Sequence, residues 1–139
     1  MDKAITVLIV GLVLTLWNLG GVYSLYHDYT MTSADIAKLP PADAVMYASM
    51  GGWEWAVYAV GTIFGLLGAL CIAAKKGWAT MLSLISLIAV LIQFGHSAIA
   101  HSGSAVWTAG AIAFVGFIAA TAALQFYLAR RWQGKGLLT

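Results

Sequence analysis

The sequence predicts an all-α membrane protein: a four-transmembrane-helix antiparallel bundle with a short helical cap on its extracytoplasmic side. Three observations carry this expectation. First, 62% of the 139 residues are hydrophobic, only 9% are charged, and the mean hydropathy is +0.89. A soluble domain is about 45–50% apolar and about 25% charged, and a chain this small has too much surface to hide the excess from water. Second, four apolar stretches, about 4–26, 53–74, 78–98 and 105–129, each reach the length of about 20 residues that crosses a bilayer. They are continuous and lack period-2 alternation, so they read as helices rather than barrel strands. Third, a four-span count puts Lys3, Lys75, Lys76, Arg130, Arg131 and Lys135 on one side. The other side keeps only Lys38, against Asp28, Asp35, Asp43 and Glu54. Lys and Arg accumulate on the cytoplasmic side of short loops, so both termini are expected there.

The first span opens with a charged pair, Asp2 and Lys3, and runs to about Tyr26 with no small-residue cleavage site. A retained helix is therefore expected rather than a signal peptide. Gly11, Thr15 and Asn18 share one of its faces, and Trp17 sits inside the span. The segment 27–52 is too long for a bare connector. Thr32 or Ser33 is expected to cap a short helix reaching about Leu39, which Pro40 and Pro41 terminate. Pro41 then opens a second short helix, from Ala42 to about Met50. Both are expected to lie as amphipathic helices over the outer mouth of the bundle.

The second span carries Gly61, Gly65 and Gly68 on one face, which extends outward through Tyr58 to Glu54. Lys75-Lys76-Gly77 forms a tight turn. The third span carries Ser83, Ser86, Gln93 and Ser97 as a stripe with His96 beside it. A second turn, His101-Ser102-Gly103-Ser104, leads into the fourth span, where Ala113, Gly116, Ala120 and Ala123 share a face. Small residues allow close backbone approach in lipid, so each stripe is expected to face the bundle. Trp53, Trp55, Trp78, Trp107 and Trp132 fall near span ends, as an interfacial belt does. The chain reads as a single membrane domain without internal repeats. Its one cysteine, Cys71, permits no internal disulfide and reads as a small buried hydrophobe.

No nucleophile motif, metalloprotease motif, phosphate-binding glycine loop or dinucleotide fingerprint is present, so no enzyme is expected. A net charge of +2 with the cations in short clusters excludes nucleic acid as a partner. The polar residues are distributed unevenly. Asn18, Tyr23, Glu54, Tyr58, Gln93 and His96 fall in the outer halves of their spans, and the inner halves read as Ser, Thr, Gly and aliphatic residues. Polar groups in a membrane face the bundle interior or a water-filled cavity. The pattern therefore predicts a polar pocket open outward above an apolar plug. Glu54, His96, Asn18, Tyr58 and Gln93 are expected to line it, with Trp17 as an aromatic wall. Glu54 has two readings: a solvated carboxylate favoured by a helix N-terminus, or a partly buried one able to bind a cation or exchange a proton. His27, His96 and His101 are the candidate metal ligands, with Glu54 as a further donor for zinc or copper. Two histidines on different helices also suit haem. Their spacing matches no specific motif, so the cofactor stays open.

These residues point first to small-solute binding or transport. Alternatives are a non-catalytic accessory or scaffold subunit of a larger membrane complex, and a metal- or haem-binding redox protein. Four spans leave little room for alternating access, so a homo-oligomer or a larger complex within the lipid bilayer is expected.

The segment Trp17-Asn18-Leu19-Gly20-Gly21-Val22-Tyr23, with Trp53 opening the second span and Lys75-Lys76-Gly77-Trp78-Ala79 after it, resembles a group of small four-helix bacterial inner-membrane proteins. These are usually left as hypothetical or automatically labelled "sugar transporter". The resemblance covers about the first two-thirds of the chain. It implies a bacterial inner-membrane location and solute transport, and it carries no assigned binding residues.

Overall fold

The computed structural model describes residues 2–139, and every element among them is helical. In chain order these are α1 (Lys3–Tyr29), α2 (Ser33–Ile36), α3 (Pro41–Ser49), α4 (Gly52–Ala73), α5 (Trp78–Ala100) and α6 (Ala109–Gly134). The helices α1, α4, α5 and α6 are long and apolar enough to cross a membrane. The protein is thus an all-α, multi-pass membrane bundle. Large apolar side chains point outward, with Leu16, Val13, Met81, Leu91 and Phe114 all more than half exposed. In lipid such a surface needs no burial, and the bundle must be held by close packing and internal hydrogen bonds instead.

The α4 helix is the centre, packed between α1 and α5. Its glycines make this possible. Gly61, Gly65 and Gly68 are buried against Ala89, Ser86 and Ser83 of α5, in antiparallel register. A Cβ on Gly68 would stand 2.7 Å from Ser83 Oγ and 2.9 Å from Gln125 Nε2. One on Gly65 would collide with the Asn18 amide oxygen. Ser86 donates its hydroxyl hydrogen to the Gly61 carbonyl at 2.6 Å. On the other side, Gly11 of α1 lies directly against the Ala73 backbone. The expected stripes on the first three spans therefore do face one another.

The fourth stripe does not. Ala113, Gly116, Ala120 and Ala123 are all exposed, while Gln125 and Ala129 are the buried residues of α6. Only 6% of the apolar window of α6 is buried, against 17–28% in the other three spans. The reason is Gln125. An amide cannot face hydrocarbon without loss, so it turns inward. At about 100° per residue, Gly116 and Ala123 then fall on the opposite side of the helix. The helix also begins at Ala109 rather than near 105, because Gly103 adopts φ +74° and the Thr108 side chain accepts from Ala111 N–H at 3.1 Å, fixing the start.

The two ends of the bundle differ. At the basic end, the residues after α6 fold back. Gly136 turns at φ +69°, Leu138 is buried among Val7, Ile72, Ala79 and Ala129, and Thr139 exchanges backbone hydrogen bonds with Lys75 and Gly77. At the other end lie α2 and α3, the cap. Thr32 and Asp35 form a capping box that starts α2, and Pro41 occupies the first turn of α3. These short helices match the expected pair, except that α2 ends at Ile36.

Candidate functional site at the cap end

The site begins with the length of α1. Its 27 residues span about 40 Å, more than a hydrocarbon core of about 30 Å, so its last turn rises into the cap. That turn carries Asp28, whose side chain is 17% exposed. One oxygen, Oδ2, accepts hydrogen bonds from two phenols: Tyr47 of α3 at 3.2 Å and Tyr58 of α4 at 3.1 Å. The other, Oδ1, lies 3.1 Å from His27 Nδ1. Three elements thus meet on one carboxylate.

Aromatic rings surround it. Trp55 and Tyr58 are three residues apart on α4 and share a face. Their rings lie nearly parallel, 14° apart, at 6.0 Å. Tyr29 meets Trp55 edge-on at 5.3 Å. Beside them opens a cleft of about 680 Å³, lined by Asp28, Tyr47 and Trp55 and by apolar cap residues such as Met31, Ile36 and Val45. Burial, reinforced by the Asp28 carboxylate, pushes the Tyr47 phenol up to about 12. A phenol is protonated at neutral pH in any case, so Tyr47 donates to Asp28 there, and the shift extends that state to higher pH.

The residues expected to line one chamber do not converge on one place. Tyr58 belongs to the Asp28 group. Glu54 and His96 come together, Oε1 to Nδ1 at 3.5 Å, with Trp53 edge-on to the His96 ring at 4.6 Å. They face α5, whereas Tyr58 turns to α1. Glu54 also accepts the Gly51 N–H through its other oxygen, closing the N-terminus of α4. Asn18 lies mid-span. Its Nδ2 donates to Gln125 Oε1 at 2.9 Å and to the Leu14 carbonyl at 2.8 Å. Gln125 Nε2 in turn donates to Gly65 O and Ser83 Oγ, each at 3.0 Å. Trp17 packs edge-on against Phe117 of α6. Gln93 Oε1 is buried without a hydrogen-bond partner.

The plug below the cap is consequently not apolar. Gln125 is polar and buried in the inner half of the fourth span, and it ties together α1, α4, α5 and α6. The three histidines do not gather: His27 joins Asp28, His96 joins Glu54, and His101 ends α5. Among the described residues, no three His, Cys, Asp or Glu side chains form a group able to hold a metal ion.

The sequence reading left out Tyr29 and Tyr47, gave Trp55 only to the interfacial belt, and counted Asp28 only among the acidic residues of the less basic side. A signal for them existed. No Lys or Arg lies between Lys3 and Lys38, so Asp28 has no cation near it in sequence. It is flanked by Tyr26 and Tyr29, and Trp55-x-x-Tyr58 adds a second aromatic pair at helical spacing. No protein-family model, curated protein or solved structure matches the chain.

Proposed function

We propose that this protein binds a small solute in the cleft beneath its cap, from the extracytoplasmic side of a bacterial inner membrane, as the binding step of transport or sensing. The supporting observation is Asp28. A carboxylate held by two phenols lines a cleft large enough for a small molecule, and no Lys or Arg side chain pairs with it. Concave sites with mostly apolar walls and a few converging polar groups are the usual form of small-molecule sites. The clustering of basic residues at the opposite end supports cytoplasmic termini.

Thiol labelling tests this reading. In a Cys71→Ser background, Ala44→Cys places a thiol on the cleft wall. A membrane-impermeant maleimide should label it in intact cells and spare Lys76→Cys. Labelling of Ala44→Cys only after permeabilisation would reverse the orientation. No labelling even in detergent would remove the open cleft.

A second reading, an accessory subunit or a homo-oligomer, is favoured by α6. Its face of Ala113, Gly116, Ala120 and Ala123 is exposed among the described residues, and such faces suit close contact with another helix. A stoichiometric second protein retained through purification in mild detergent would support the subunit, and a single-chain oligomer the alternative.

A further inference from the structure

Resting on the cleft reading above, we propose that the solute is an organic ammonium cation, held by the Asp28 charge and the aromatic rings of Trp55, Tyr29 and Tyr47 that line the cleft. The argument starts from charge. Asp28 is largely buried, and a buried carboxylate is costly unless a positive partner meets it. Its partners are two neutral phenols and the exposed His27. The only Lys or Arg between residues 4 and 74 is Lys38, and it is engaged with Asp35 at 3.9 Å. Asp43 and Glu54 add negative charge to the same end. An anionic solute would be repelled, and a neutral one would leave Asp28 without a permanent cation beside it.

The walls decide what kind of cation fits. Ring faces attract cations through their quadrupoles, most strongly Trp, and they suit diffuse organic cations. A small metal ion needs several oxygen or nitrogen donors in a closed shell. Here one Asp28 oxygen is already occupied by two hydroxyls, and no third acid or histidine approaches. Apart from Ser33, the remaining lining, Met31, Ile36, Ala37, Ala44, Val45 and Ala48, is apolar and accommodates alkyl groups. A positive head on the aromatic lining, with hydrocarbon against the cap, satisfies both halves of the cleft.

The test uses the full chain in lipid nanodiscs and three probes. These are choline, its uncharged isostere with carbon in place of the ammonium nitrogen, and glucose. Binding is read by calorimetry and by protection of Ala44→Cys from maleimide. Choline should bind at least about tenfold more tightly than the isostere, a difference of about 1.4 kcal/mol. Asp28→Asn keeps an acceptor for both phenols, so it should fold normally and lose choline binding at least about tenfold. Trp55→Leu should weaken choline binding too, which provides a second variant if Asp28→Asn misfolds. Equal binding of the isostere, preference for glucose, or choline affinity unchanged in both variants would overturn the cation assignment while leaving the cleft as a solute site. Absence of binding by choline would also overturn it. Failure of the cleft reading itself shows separately, as an unreactive Ala44→Cys without any probe.

Discussion

Two polar clusters in this molecule use similar residues to opposite ends. At mid-span, Asn18, Gln125, Ser83 and the Gly65 carbonyl satisfy one another, and all members are neutral. At the cap, Asp28 is equally well hydrogen-bonded, yet its charge has no Lys or Arg partner. The first is closed under its own hydrogen bonds and leaves nothing for a ligand to do. The second is complete in donors and has no permanent cation beside its charge. Hydrogen-bond satisfaction alone therefore does not separate a structural cluster from a binding one; the electrostatic balance does.

The strongest way to break this contrast is to disturb the middle. Gly68→Val forces a side chain into Ser83 and Gln125. Overpacking costs about 1–3 kcal/mol, and here it also displaces hydrogen bonds. The variant should show the largest fall in melting temperature of any discussed here, followed by circular dichroism in detergent. Next is Gln125→Leu, which removes three interhelical bonds. Single membrane hydrogen bonds average about 0.6 kcal/mol, so a loss on the order of 2 kcal/mol is expected. Choline affinity should be unchanged, the reverse of Asp28→Asn. If Gln125→Leu weakened binding as much as stability, the two clusters would be one unit.

The fold was largely legible in the sequence because bilayer thickness and glycine spacing act locally. Gly61, Gly65 and Gly68 face α5 as their spacing requires, and Thr32 and Pro41 start helices through their own side-chain chemistry. The orientation of α6 was not legible from its small-residue stripe. A single glutamine outweighs four small residues, since losing an amide's partners in hydrocarbon costs more than losing close contact. The site was harder to read. Asp28, Tyr47 and Tyr58 lie on three elements, and no local period records that they meet. Glu54, flanked by two tryptophans, drew attention in the sequence, but it caps its own helix.

Two smaller effects sharpen the contrast at the cap. Tyr47 ionises near 10 in the unfolded chain and near 12 in the folded one. Between these values the unfolded state has lost a proton that the folded state keeps. The stability contributed by the phenol is therefore intact below pH 10 and lost as pH rises toward 12. Wild type should lose melting temperature relative to Tyr47→Phe across that window and not below it. Glu54→Gln should matter least. It keeps an acceptor for Gly51 N–H and removes only a partly exposed pairing with His96, worth less than about 1 kcal/mol. A larger loss in a thermal melt would move the centre of the cap from Asp28 to Glu54.

The folded-back segment after α6 bears on biogenesis. Leu138 fills the space among α1, α4, α5 and α6, the first of which begins more than a hundred residues earlier, and Thr139 pairs with the turn between α4 and α5. Those contacts form only once the ribosome has released all four spans. Until then the basic end of the nascent bundle stands uncorked, and residues 136–139 act as the stopper.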